Sequence, residues 1–157
     1  MDDLTLARAL HVLAVVVWIG GVAMVTSVVL PAARRMATPE DRIAFFESVE
    51  RRFALEARIA TVVAALSGFY MIDRMALWDR FLDPHFWWIH AMVGVWALFT
   101  LVLFVLEPLV LHRWFTERAK RDPDGTFRLV QRLHWLLLTV SLITAGGATA
   151  GAHGAFF

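Results

Sequence analysis

The chain alternates long apolar runs with short charged segments. Leu10 to Leu30 holds His11 as its only ionisable residue. About 20 apolar residues in a helix cross a ~30 Å hydrocarbon layer. The run therefore predicts a first membrane helix over about residues 6–30, ended by Pro31 and the Arg34-Arg35 pair. Thr38-Pro39-Glu40-Asp41 has the form of a helix start, with a hydroxyl cap, proline at the first helical position and acids in the first turn. From Arg42 to Arg52, Ile43, Phe45, Phe46 and Val49 stand among charges, which predicts an amphipathic stretch lying at the interface before a second span over about 53–72. Glu56 and Arg58 in that span must reach the headgroups or find partners inside the protein. Asp73 to Pro84 is polar and reads as a loop. Phe86 to Leu111, with His90 and Glu107 as its ionisable groups, predicts a third span over about 86–111. Asp122-Pro123-Asp124-Gly125 is a turn signal, and a fourth span follows over about 129–150.

These elements predict an all-α fold, a single integral membrane domain over 1–157 built as an up-down four-helix bundle. Composition agrees: 59% of residues are hydrophobic and 18% charged, far from the even split of soluble domains. The first run lacks a basic leader and is too long for a signal peptide, so it predicts a retained span. Basic residues concentrate between spans one and two (Arg34, Arg35, Arg42, Arg51, Arg52, Arg58) and between three and four (Arg113, Arg118, Lys120, Arg121, Arg128, Arg132). The positive-inside rule puts both connections in the cytoplasm and both termini outside. Trp78, Trp87 and Trp88 on the outer side, with Trp114 and Trp135 on the inner, occupy the positions of interfacial aromatic belts, whereas Trp18 and Trp96 lie mid-membrane.

The net charge of +1 leaves no broad basic surface, so nucleic acid is not an expected partner. With no cysteine, disulfides, zinc-thiolate sites, iron-sulfur clusters and covalent haem attachment are excluded. No nucleophile arrangement, phosphate loop or dinucleotide motif is present.

Ionisable residues inside a span default to functional candidates. His11 lies about 12 Å along its helix from Asp3 and His90 about 10 Å from Asp83, which gives the two similar depths in the outer half. Helices one and three occupy diagonal corners of an up-down bundle, so the two imidazoles are expected to face each other and ligate a b-type haem. Ser67 and Gly68, Gly94, and Ala145 to Ala148 would slim the walls, and Arg8 and Arg74 would receive the propionates. A matched histidine pair also suits structural hydrogen bonding, copper or a proton path, and Gly147 with Gly151 suits a homodimer face. His112 and His134 form a second pair near the cytoplasmic headgroups, a candidate site for a second haem or copper. Glu107 should be paired, with Arg58 and Arg132 at its level.

Ala9-Leu10-His11, Trp18-Ile19-Gly20-Gly21 and Pro31 resemble the first helix of small bacterial membrane proteins related to the copper-resistance D family and of the HemJ-type membrane protoporphyrinogen oxidases. Phe86-Trp87-Trp88-Ile89-His90 and Glu107-Pro108 are similar to the same group. The resemblance implies a four-helix protein of the bacterial inner membrane with haem or metal on His11 and His90. The leading expectation is a b-type cytochrome passing electrons to a quinone or a periplasmic carrier. A haem-dependent membrane oxidoreductase, a copper or small-solute transport protein, and a structural membrane subunit are the alternatives.

Overall fold

The computed structural model describes residues 2–154. Four helices are long and apolar enough to cross a membrane: α1 Asp3–Arg34, α2 Pro39–Arg74, α3 Pro84–Arg121 and α4 Pro123–Ala152. No strand occurs among the described residues. Each helix packs antiparallel to its sequence neighbour and α4 returns against α1, so α1 and α3 stand on a diagonal, as expected of an up-down bundle. Both described ends of the chain and the α2–α3 connection lie at one end, here the terminal end; the other two connections form the turn end.

Side-chain caps set the boundaries. Asp2 accepts from the Leu4 N–H at the start of α1, and Thr38 accepts from the Asp41 N–H at 3.1 Å, with Pro39 opening α2 as predicted. The Asp122 carboxylate accepts from the Gly125 N–H at 2.9 Å, so the Pro-Asp-Gly sequence is the first turn of α4 rather than a loop. The third helix accordingly runs on to Arg121 and the fourth begins at Pro123, both beyond the predicted spans. The α2–α3 connection turns at Ala76 (φ 51°) and through a short helical turn, Trp78–Leu82. The backbone N–H and imidazole of His85 hold Asp83 below the usual carboxylate range at the cap of α3.

The amphipathic start of α2 does not lie flat. Phe46 is buried against Phe115 and Phe127, with ring centroids 4.9 and 5.8 Å away, because the extended ends of α3 and α4 offer it a second apolar layer, shared with Leu30 and Ala33. The layer above it contains Trp18, Val22, Ala57 and Phe99. Toward the terminal end, Gly147 and Gly151 of α4 receive the rings of Trp87 and Trp88. Trp88 is thus a core wedge, 3% exposed, and not a belt residue as expected; Trp78 and Trp135 remain exposed.

Two prolines lie inside helices. Pro31 does not end α1. The helix widens over Val25–Val29, where the Leu30 N–H donates five residues back to Val25. Pro108 lies in the widened segment Val102–Leu111, where the His112 N–H donates to Glu107. In this pattern proline has no N–H for the carbonyl five residues earlier, which would be Thr26 for Pro31 and Leu103 for Pro108. Each of those carbonyls accepts from a neighbouring helix instead: Gln131 Nε2 donates to Thr26 O at 2.6 Å, and Arg58 Nε donates to Leu103 O at 3.0 Å. The Arg58 guanidinium also forms an ion pair with Glu107.

Two stability outcomes follow, each read by thermal unfolding in detergent. Gly151→Val, whose Cβ would overlap the Trp88 indole, is expected to cost about 1–3 kcal/mol, whereas Gly94→Ala, which meets nothing within 4 Å, is neutral or stabilising. Arg58→Leu should cost about 3–5 kcal/mol by stranding Glu107, and adding Glu107→Leu should restore most of it. Additive losses in the double variant would show that the pair is not a unit.

Candidate functional site

The structure does not bring His11 and His90 together. His11 of α1 packs against α2: its Nδ1 donates to Ala64 O at 2.9 Å and lies 3.3 Å from Ser67 Oγ. A Cβ at Gly68 would come within 3.0 Å of the imidazole, so this glycine makes room for the histidine and not for a macrocycle. His90 is exposed. Its Nε2 is 3.0 Å from Phe81 O and its Nδ1 3.3 Å from Phe86 O, with the Phe81 ring edge-on at 5.7 Å. The register of α3 explains the difference from expectation. Trp88 and Ile89 face inward because the indole fits the hollow at Gly151, and that rotation carries His90 outward to carbonyl partners on the connection.

The remaining haem contacts are also taken or absent. The space expected beside α4 holds the Trp87 and Trp88 rings, and Gly94 faces open space. Arg74 binds Asp3 at 3.3 Å, where Tyr70 Oη also donates at 2.7 Å, closing α1 onto α2. Arg8 is exposed. The residues present therefore do not fit a haem held between α1 and α3. The second pair is parted as well: His112 is exposed, while His134 is half-buried with Nδ1 donating to Val130 O at 2.9 Å on its own helix. Among the described residues no three His, Asp or Glu side chains come together as a metal site.

The polar chemistry of the interior lies nearer the turn end. A cavity of about 120 Å³ opens between the four helices, beside both widened turns, with Val25 and Val29 of α1 and Leu103 and Glu107 of α3 in its wall. Trp18, Phe46, Phe53 and Phe99 supply aromatic surface. The ionisable wall residues are Glu50, Glu107 and His134. Glu107 is matched by Arg58, as anticipated from their common level. Glu50 has neither a hydrogen-bond nor an ion-pair partner among the described residues, although Glu47, Glu107 and His112 are near enough to act on it electrostatically. The buried Trp18 Nε1 and Gln131 Oε1 are likewise without a partner. Toward the terminal end Thr61, Ser141, Thr144 and Ser67 are buried; the Thr61 and Ser67 hydroxyls donate to carbonyls of their own helix, and Ser67 Oγ lies beside His11.

Sequence reasoning passed over Glu50 because it stands among exposed charges. The available signal was register: Glu50 lies in line with Ala54, Ala57, Thr61 and Ala64, the buried stripe of α2, so its carboxylate points where the stripe points.

No curated protein and no solved structure matches the chain. Residues 13–119, which include the mid-helix prolines Pro31 and Pro108, Glu50, Arg58 and Glu107 but not Gln131 or His134, match a family model described as a domain of unknown function, DUF4149. The match spans well over half of the sequence, and the chain belongs to the DUF4149 family of proteins.

Proposed function

We propose that this protein is a small-solute permeation protein whose binding chamber lies between the widened turns of α1 and α3. The observation that carries the reading is Glu50, a carboxylate without a partner in the wall of an interior cavity of a membrane bundle. An ionised group in such a place is costly unless something compensates it. Arg58 does not, because Glu107 and the Leu103 carbonyl already occupy its guanidinium. The resemblance of the first helix to the copper-resistance D group agrees with the permeation class, and the separation of His11 from His90 argues against electron transfer through a shared haem. The arginine-rich turn end belongs in the cytoplasm of a bacterial inner membrane by the positive-inside rule, so the chamber loads from that side.

Because the native chain has no cysteine, access can be measured directly. In Ala57→Cys, a residue 1% exposed and on the chamber wall, we expect 2-aminoethyl methanethiosulfonate to label the thiol in membranes. Leu55→Cys, 59% exposed on the lipid-facing side of the same helix, should stay unlabelled, and the exposed Ser48→Cys should label freely. An inert Ala57→Cys beside a reactive Ser48→Cys would contradict the reading.

A further inference from the structure

The charge balance of the chamber narrows its ligand class; this inference rests on the solute-chamber reading. Arg58 and Glu107 cancel each other. His134 donates from Nδ1 to its own helix and presents Nε2 as an acceptor. The remaining charge is Glu50, set among apolar side chains and four aromatic rings. Aromatic faces with one carboxylate are the setting in which alkylammonium ions are held, through attraction to the ring quadrupoles and a counter-charge. A metal ion would need several oxygen or nitrogen ligands, which are not gathered among the described residues. A cavity of about 120 Å³ is somewhat smaller than the ~150 Å³ that admits benzene, which restricts the ligand to a few heavy atoms.

We infer that the chamber binds a small alkylammonium ion, with the ammonium compensating Glu50, and that it does so in exchange for a proton on Glu50. The exchange follows from electrostatics: an uncompensated carboxylate in an apolar wall holds either a proton or a cation, so loading of the cation releases the proton to the turn-end solution. The titratable and charged groups around Glu50 are Glu47 and Arg58 on its own helix, Glu107 and His112 on α3, and His134 on α4. The α1 wall contributes Trp18 and valines and no ionisable group.

The test is equilibrium binding to the full chain purified in a maltoside detergent, with propylammonium as the cation and propan-1-ol as its uncharged isostere. Propylammonium should bind saturably at pH 8 and severalfold more weakly at pH 6, the isostere should bind far more weakly than propylammonium at pH 8, and Glu50→Gln should remove the preference for the cation while leaving binding of the isostere intact. If the isostere binds as tightly as propylammonium to the native chain, the chamber stands and the cation inference falls. If neither binds while Ala57→Cys is labelled, the ligand class is wrong. If propylammonium binding survives Glu50→Gln unchanged, the proton exchange is overturned.

Discussion

Two backbone carbonyls organise the interior of this bundle. Within a hydrocarbon layer each peptide group must be satisfied inside the protein, and an orphaned carbonyl costs several kcal/mol. Pro31 and Pro108 orphan Thr26 O and Leu103 O, and the chain answers by sending Gln131 from α4 and Arg58 from α2. Both are polar residues that would otherwise be unfavourable at this depth. Their positions tie α1 to α4 and α2 to α3, so two of the four helix interfaces are fixed by repairs to the backbone and not by apolar packing alone.

The same repairs shape the chamber. A widened turn bulges the helix wall, and with both bulges at one level the helices leave a cavity between them. Arg58 is occupied by Leu103 O and Glu107, which is why it is not free to neutralise Glu50 one layer toward the turn end. Without Pro108, Arg58 would have no carbonyl holding it to Glu107's helix. The cavity is thus a by-product of how the backbone is satisfied: the residues that repair the helices are separate from the residues left facing it.

Much of this was legible in the sequence because its physical cause is local. Apolar runs of membrane length, the Thr38-Pro39 cap and the turn at Asp122 each depend on a few adjacent residues, and the level of Glu107 against Arg58 depends only on the rise of a helix. Rotation of a helix about its axis is a different kind of quantity. His11 and His90 share a depth, yet whether they meet depends on whether Trp88 or His90 faces inward, and that is decided by a glycine on another helix, Gly151. Pro31 looked like a helix stop because its partner for the lost hydrogen bond, Gln131, lies a hundred residues away. Glu50 was hidden by its charged neighbours, although the alanine stripe below it already carried the register.

The most direct measurement is the labelling rate of Ala57→Cys after Pro31 and Pro108 are both replaced by alanine, with helix content checked by circular dichroism. Restored N–H groups would let α1 and α3 rewind to ordinary geometry and recover the Thr26 and Leu103 carbonyls, so the thiol should become as unreactive as one on the lipid-facing side. A folded double-proline variant that labels as fast as its parent would show that the cavity does not depend on the widened turns.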